Sequence, residues 1–446
     1  MNSGRNLSTT ENGTRMAFRP RSESIALWCA LFLTFCICVI KAGAPQWVAL
    51  AWVSLSTICY GMLVMSNVIR NKPPIHTALP ENRFQILRDP VVLLAFFQCW
   101  AIIQHFFVSH DQANSGEQVL IGLGMLCLIG VWSVGIRAPK ALESLYLTII
   151  TFATIQAFYG IWVYLSASNT ILWMPKLHYL DRPTGFFVNA NHFAAYIVLA
   201  SILILSRILS DSSKTSNRNF LFTVLDSAYS PRNVVLLFLI ATLILSKSVG
   251  ALVSLAAVLM IVMLKGFFDS ARKKEFFFLF VIIVFAFVLA LLTVDYSLVE
   301  GLTKDLAHTI NRRIALSIAS LSMLETHWLW GTGGGGFYSS FSAFRTIEIG
   351  NAYYNHAHND IIQFWVEYGL IGAILLVLFI SSTIRNNLQV LSISKTGIHA
   401  TFSYAGIYTT IAILIHSLVD FPLRIPGFSV CYLVIILINS LELHRR

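Results

Sequence analysis

The chain has 446 residues, of which 56% are hydrophobic and only 12% are charged, and its formal net charge is +10. Apolar runs long enough to cross a bilayer recur along its length. They exclude a large soluble domain and predict an α-helical membrane protein, because a spanning segment must satisfy its own backbone hydrogen bonds. The basic charge does not indicate a nucleic-acid partner, since its distribution among the loops explains it better. The seven cysteines lie within apolar runs and lack the spacing of disulfides or zinc sites.

The N-terminal residues, 1–24, are polar and are predicted to be a disordered cytoplasmic segment. No signal-peptide cleavage pattern follows the first apolar run, so this run is predicted to be the first membrane span. Residues 25–446 then form a single integral membrane domain, an all-α polytopic fold with about twelve transmembrane helices. The predicted spans are 25–41, 47–68, 91–108, 118–135, 143–166, 190–207, 233–245, 249–267, 276–294, 361–382, 400–418 and 427–441.

The charge of the loops predicts the topology. Most of the 31 basic residues fall in alternate loops, which the positive-inside rule places in the cytoplasm together with the N-terminus. Two long loops, 167–189 and 295–360, then lie on the outer side, the second of them just before the tenth helix. This second loop contains an amphipathic segment, 310–324, which we predict to lie along the membrane surface or in the mouth of the bundle.

The sequence from Tyr354 into the tenth helix joins a polar stretch to an apolar span. His356 and His358 precede Asn359 and Asp360, which suit the N-cap of that helix. A histidine at the water interface can act as a general base near neutral pH, and a helix start favours anions. The alternative interpretation is a polar cap whose histidines simply face water. A metal site is not indicated, because no Asp, Glu or Cys set with ligand spacing accompanies the two histidines.

Two basic residues of the outer loops are candidates for binding phosphate. Arg182 lies shortly before Asn191 and His192 at the start of the sixth span. Its planar guanidinium matches phosphate oxygens bidentately, although a single arginine can equally anchor a loop at the interface. Lys247 lies in the tight outer turn between the seventh and eighth spans. It is either a phosphate-binding point charge or a residue that snorkels to the interface.

The loop before the tenth helix holds Arg312 and Arg313 and, further on, a glycine-rich run that includes Gly333 and Gly335. Glycines let backbone N–H groups approach a ligand closely, although this run lacks the Lys-Ser/Thr ending of a P-loop. Two tryptophans at its start can stack on a sugar face or belong to an interfacial aromatic belt.

The last outer loop carries Asp420 and Arg424, which we interpret as an internal ion pair that closes the turn. Each of these polar signals is weak when it is taken alone. All of them nevertheless fall on one side of the membrane under a topology that was inferred from loop charge. This sorting favours a functional site at the outer face.

These residues resemble the O-antigen ligase and polymerase superfamily, membrane glycosyltransferases that use polyprenyl-diphosphate-linked glycans. His358 and Asn359, followed after nine residues by Gly369 and then by Gly372, match the full ligase motif of the family. The segment from Arg182 to His192, and Arg313 with the run from Gly331 to Phe337, look like two further family signatures. The sequence departs from the family at Lys247, where relatives usually carry arginine, because lysine lacks the bidentate geometry.

The resemblance covers roughly 180–380 and implies a metal-independent, inverting glycosyltransferase without a cofactor. The donor would be a glycan on undecaprenyl diphosphate, presented at the periplasmic face of the bacterial inner membrane. His358 would be the general base, and Arg182 and Arg313 would stabilise the diphosphate with help from Lys247. The residues that the resemblance assigns to substrate binding are Asn191, His192, His356, Asn359, Gly333 and Gly335.

Three classes of acceptor remain open. A ligase joins the glycan to lipid A-core of lipopolysaccharide, whereas a polymerase joins it to another repeat unit of an O-antigen or exopolysaccharide, and a minority of relatives use protein hydroxyls. The full ligase motif favours the ligase. A transporter or flippase of lipid-linked glycans is the alternative function, since twelve spans also fit it. Against it, the unusual polar residues lie in outer loops rather than at mid-membrane, and no inverted repeat is visible.

Overall fold

The computed structural model describes residues 20–69, 88–211, 230–268, 311–346 and 354–443. The described chain is almost entirely helical, with one two-stranded hairpin, β1 and β2, in which Thr170 pairs with Pro175. The elements of the first half are α1 Pro20–Val39, α2 Gln46–Ile69, α3 Pro90–Phe107, α4 Gln112–Gly135, α5 Ala141–Leu165, β1 Thr170–Ile171, β2 Met174–Pro175 and α6 Ala190–Asp211. Those of the second half are α7 Pro231–Leu245, α8 Val249–Phe268, α9 (311–322), α10 Leu324–His327, α11 Phe337–Phe341, α12 Asp360–Ile393, α13 Gly397–His416 and α14 Pro426–Leu443.

Each predicted span within the described residues overlaps a helix, although α1 begins at Pro20, inside the segment predicted to be disordered, and α12 runs to Ile393, beyond the predicted 382. Eight described helices are long and apolar enough to cross a membrane, and three shorter apolar helices occupy 231–245, 249–265 and 426–441. The ninth predicted span, 276–294, lies outside the described residues, and so does much of the long loop that follows it. The chain is therefore an all-α multi-pass membrane protein, as the hydropathy of the sequence predicts.

Several helices begin where a side chain caps free backbone N–H groups. Asp89 accepts a hydrogen bond from the N–H of Val91 ahead of Pro90, the first residue of α3. Ser230 caps α7 in the same way, again with a proline at the first helical position. Polar residues at these ends satisfy donors that the helix itself leaves unpaired, and proline has no N–H to satisfy.

Helix α6 lies at the centre of the bundle. Of its apolar window 78% is buried, against 28% for α12, and Phe193 and Tyr196 are fully enclosed. It packs against α5, α7, α8 and α13. Because α6 is enclosed on all sides, the residues at its N-terminus are held rigidly among the loops at that end of the bundle.

The opposite end of the bundle, predicted to be cytoplasmic, is joined by buried side-chain hydrogen bonds. Asn439 of α14 donates to the side chains of Asn387 and Ser403, on α12 and α13. Ser210 of α6 bonds Thr401 of α13 at 2.7 Å. Small polar side chains that bond across helices stabilise membrane bundles by a modest amount per bond, and this network fixes how α6, α12, α13 and α14 meet.

Helix α12 is broken at Gly369, although the sequence predicts a continuous span there. Gly369 adopts φ 64° and ψ −169°, a conformation open to glycine alone. The glycine-rich loop fills the break, because the N–H groups of Thr332 and Gly333 donate to the carbonyls of Val366 and Glu367 at 3.0 and 2.9 Å. The outer loop and this membrane helix therefore form one hydrogen-bonded unit.

The amphipathic segment of the outer loop is confirmed as helix α9. Its buried face, which includes Leu316 and Ala319, packs into a small apolar cluster with α11. Of the apolar residues at helical spacing that predicted this segment, Ala315 and Leu324 pack on that cluster, whereas Ile314, Ile318 and Leu321 are 53%, 62% and 44% exposed. Helix α9 thus packs on the protein with one face and presents a second apolar face outwards, as a helix at a membrane surface does.

Candidate active site

Asp420, in the loop between α13 and α14, is the centre of the polar cluster. Its carboxylate is 1% exposed and lies within 3.5 Å of His192 Nε2 and Arg313 Nη2 and 3.7 Å of His358 Nδ1. These three partners come from the start of α6, from α9 and from the loop before α12. One buried carboxylate therefore gathers three of the residues singled out in the sequence, from distant parts of the chain.

The pKa of Asp420 reflects these partners. Burial alone would raise it, but the neighbouring imidazoles of His192 and His358 and the charge of Arg313 hold the pKa of this carboxyl well below its usual range. Asp420 is thus a fixed negative charge at neutral pH. Such a charge orients an imidazole and stabilises its protonated form, as the carboxylate does in an acid–base triad.

His358 is held in an unusual backbone conformation beside this carboxylate. Its φ is 51°, in the left-handed region that few residues other than glycine adopt. Its Nδ1 is buried and faces Asp420, whereas 27% of the side chain is exposed, so the accessible part of the imidazole lies away from Asp420. Asn359, the next residue, caps α12 by accepting from the N–H groups of Ile361 and Ile362.

Phe421 separates His356 from the other two histidines. The ring of His356 stacks on Phe421 at 4.1 Å, while His192 and His358 contact it edge-on at 4.6 and 4.9 Å. Burial, reinforced by the nearby charge of Arg424, lowers the pKa of His356 to about 3. His356 is therefore neutral at physiological pH, and its Nδ1 lies 3.2 Å from the Gln363 amide.

The pH dependence of stability should report the burial of His356. An unfolded histidine takes up a proton below pH 6.5, whereas folded His356 does not until about pH 3, so the free energy of unfolding falls as the pH falls through this window. We expect His356→Gln to reduce this slope by up to about 1.4 kcal/mol per pH unit. Thermal unfolding in nanodiscs between pH 6.5 and 5 measures it, and equal slopes for both proteins would contradict the assignment.

Arg182 and Lys247 share a second, exposed carboxylate. Arg182 Nε and Lys247 Nζ each lie 3.2 Å from Asp181, which joins the outer loop before α6 to the turn between α7 and α8. The guanidinium of Arg182 also lies over the ring of Tyr179, at 5.5 Å. The contact with Asp181 engages only Nε of Arg182, which leaves the paired Nη groups for a ligand.

Tyr179 connects the two groups of cations electrostatically. Burial and the charge of Asp420 raise the pKa of Tyr179, while Arg313 and Arg182 act in the opposite direction. Arg182 and Lys247 meet at Asp181, and Arg313 and His358 meet at Asp420. Tyr179, under the Arg182 guanidinium, is near enough to both groups to feel the charges of Asp420 and Arg313.

A third buried cluster, around Glu367, was not predicted from the sequence. Glu367, which is fully buried, accepts hydrogen bonds from Arg424, from the Gln363 amide at 2.9 Å and from the N–H of Gly335 at 3.0 Å. Asp360 lies 3.8 Å from the other side of Arg424. The carboxylates keep the Arg424 guanidinium charged despite its burial, because Glu367 and Asp360 raise its pKa. A lone glutamate in an apolar run was the available signal.

The interpretation of Asp420 and Arg424 as an ion pair that closes their turn is wrong. Asp420 points to the histidines and Arg313, whereas Arg424 points to Glu367 and Asp360. Arg424 ends a short 3₁₀ turn, Pro422–Arg424, whereas Asp420 precedes that turn, and the two charges contact different clusters. The loop between α13 and α14 thus links two polar centres.

The remaining predicted substrate-binding residues lie around these clusters. Asn191 lies at the start of α6, where its N–H donates to the Asn189 side chain at 2.8 Å. The side chain of Asn359 is used at both ends, as the cap of α12 and as a donor to the carbonyl of Leu418. Gly333 and Gly335 have positive φ, and a Cβ on Gly333 would overlap Ser109, in the loop after α3.

Comparison with known families bears on this arrangement. Residues 234–377 match the model of a family described as O-antigen ligase. This match, over about a third of the chain, supports the resemblance to the O-antigen ligase and polymerase superfamily. The matched segment contains Lys247, Arg313, the glycine-rich loop and both histidines before α12, whereas Arg182, His192 and the loop of Asp420 lie outside it. A search of curated proteins found no match.

The matched segment supports a function of the O-antigen ligase or polymerase type, with glycan and lipid substrates in a membrane environment. The match also agrees with the multi-pass helical fold described above. Glycosyltransferase chemistry requires reactive side chains that lie close together in the folded chain. The side chains around Asp420 lie close together in this way.

Proposed function

We propose that the protein transfers a glycan from undecaprenyl diphosphate to an acceptor hydroxyl at the periplasmic face of the bacterial inner membrane. The observation that carries the proposal is the shared carboxylate of Asp420, which brings an imidazole, His358, and a guanidinium, Arg313, to one place. Transfer from a diphosphate needs a base for the incoming hydroxyl and a cation for the departing group, and both lie here.

His358 is the proposed base. The acceptor oxygen attacks the anomeric carbon of the donor sugar, the bond from that carbon to the diphosphate oxygen breaks, and the hydroxyl proton passes to His358. Asp420 stabilises the imidazolium that results and fixes the orientation of the ring. Attack opposite to the leaving group inverts the anomeric centre. The proton later leaves His358 for water at the exposed side of the ring.

Arg182, Arg313 and Lys247 are the proposed partners of the diphosphate. Charge develops on the departing diphosphate oxygens during the reaction, and positioned cations stabilise the transition state more than the ground state. Lys247 is tied to Arg182 through Asp181, and Arg313 lies at Asp420 together with the proposed base. We assign the stabilisation of the leaving group to these side chains, so the proposed reaction requires no metal ion.

Arg182→Lys tests the bidentate contact. We expect transfer to fall on the order of 100-fold, because lysine keeps the charge but loses the paired donors. Initial rates with a purified lipid-diphosphate glycan measure the effect. Arg137→Lys, an exposed arginine at the opposite end of the bundle, is the matched control. Equal rates for both variants and the wild type would remove Arg182 from the site.

The acceptor class is tested in a deletion strain. Loss of a ligase leaves lipopolysaccharide without O-chain, whereas loss of a polymerase leaves a single repeat unit on the core. The length of the glycan on purified lipopolysaccharide distinguishes these outcomes. The full ligase motif favours the first, and unchanged polysaccharide in the deletion strain would contradict the proposed function.

A further inference from the structure

A polar cavity of about 460 Å³ lies at the same end of the bundle, next to the Asp420 cluster. Its size is within the usual range of small-molecule sites. Amide side chains from separate segments line it: Asn114 and Gln118 from α4, Asn355 from the loop before α12, and Gln363 from α12 itself. Amides donate and accept hydrogen bonds at once, which suits ligands that carry many hydroxyl groups.

The fixed charges at this cavity disfavour phosphate. Arg424 lines it together with Glu367, and Asp360 lies on the far side of Arg424. The carboxylates balance or outweigh the single guanidinium, whichever protonation state Asp360 adopts. A further anion would therefore gain nothing here, in contrast to the region bordered by Arg182, Arg313 and Lys247.

Arg424 nevertheless has a donor to offer. Its side chain is nine-tenths buried, Nη1 bonds Glu367, and Nη2 is buried without a hydrogen-bond partner among the described residues. A buried guanidinium N–H that lacks an acceptor is costly unless a ligand satisfies it. A hydroxyl or ring oxygen of a neutral sugar supplies the acceptor without adding charge.

The cavity lies beside the proposed base. His356 lines it, and the ring of His356 stacks on Phe421, whose edge contacts His358 on the other side. A sugar in the cavity therefore lies next to these two rings, with His358 on the other side of Phe421.

We propose that this cavity binds the neutral sugar residue of the acceptor, while the donor diphosphate binds at Arg182, Arg313 and Lys247. The inference rests on the proposed function and divides its site in two. The amides of Gln118 and Asn355 and the Nη2 of Arg424 bind acceptor hydroxyls. Neither Gln118 nor Asn355 is needed for the diphosphate.

Binding measured without turnover tests the division. The probes are pyrophosphate and the neutral, dephosphorylated core and repeat-unit oligosaccharides from the producing strain, titrated calorimetrically into the protein in nanodiscs. We expect Gln118→Ala and Asn355→Ala each to weaken binding of one of these oligosaccharides by up to tenfold, the worth of one hydrogen bond, and to leave pyrophosphate binding unchanged. Arg182→Lys should weaken pyrophosphate binding and leave oligosaccharide binding unchanged.

Gln389→Ala, an exposed glutamine at the opposite end of α12, is the control and should change neither affinity. Retained pyrophosphate binding shows that a variant is folded. Unchanged oligosaccharide affinity in both amide variants would overturn the proposal, and so would a loss of pyrophosphate affinity in them. These experiments measure binding and no transfer, so they test the acceptor cavity alone. The proposed function is tested separately, and it would be contradicted if His358 variants kept their activity.

Discussion

His358→Ala is expected to lower glycan transfer by between about 100-fold and 10,000-fold, the range that a positioned general base contributes. Among the described residues of the loop before α12, His358 is the only one whose imidazole both faces Asp420 and keeps an exposed edge. The variant removes this side chain. The measurement is the initial rate of transfer by purified protein from a lipid-diphosphate glycan donor.

The amount of protein in the membrane should not change in this variant, because His358 lies in the loop before α12 and is not part of the hydrophobic core. His110→Ala is the matched control, since His110 is an exposed histidine in the loop between α3 and α4. It should transfer glycan at the wild-type rate. Normal transfer by His358→Ala would mean that the base lies elsewhere and would remove the central residue of the proposed mechanism.

Glu367→Ala is expected to lower the free energy of unfolding by about 3–5 kcal/mol, the usual cost of removing one partner from a buried ion pair. The change leaves the Arg424 charge buried beside Asp360 alone and takes the acceptor away from the Gly335 N–H and the Gln363 amide. The glycine-rich loop then loses one of its anchors to α12. Thermal or denaturant unfolding in nanodiscs measures the loss.

Two further variants separate the buried charge from the general effect of truncation. Glu325→Ala removes an exposed glutamate of α10 and should change stability by less than about 0.5 kcal/mol. Combining Glu367→Gln with Arg424→Met removes both charges, so the double variant should be more stable than the sum of the single changes predicts. Additive losses would show that Glu367 and Arg424 do not depend on each other.

Local signals in the sequence predicted most of the fold. Apolar runs identified the spans because a helix in lipid must be apolar over a fixed length. Asn359 was predicted as the cap of α12, and it caps that helix. The break at Gly369 was not predicted, although Gly369 belongs to the ligase motif, because hydrophobic periodicity continues across it and only the distant loop shows why the chain opens there.

The candidate site was predictable only in part, because its centre depends on long-range contacts. His358 and Arg313 were singled out separately, and nothing in their local sequence indicates that Asp420 joins them. The pairing of Asp420 with Arg424 looked natural at short spacing and is wrong. Glu367 was not predicted as a site residue because a single carboxylate beside the ligase motif has no spacing pattern of its own.

The break in α12 limits how such a protein can be redesigned. Its carbonyls at positions 366 and 367 depend on N–H groups of the loop, and the N–H of Leu370 depends on the carbonyl of Trp328. A chimaera that exchanged this loop alone would strip these groups of their partners at the edge of the hydrocarbon, where each costs several kcal/mol. Residues 328–335 and 366–370 must therefore be grafted together, and changes of specificity have to be made outside these two segments.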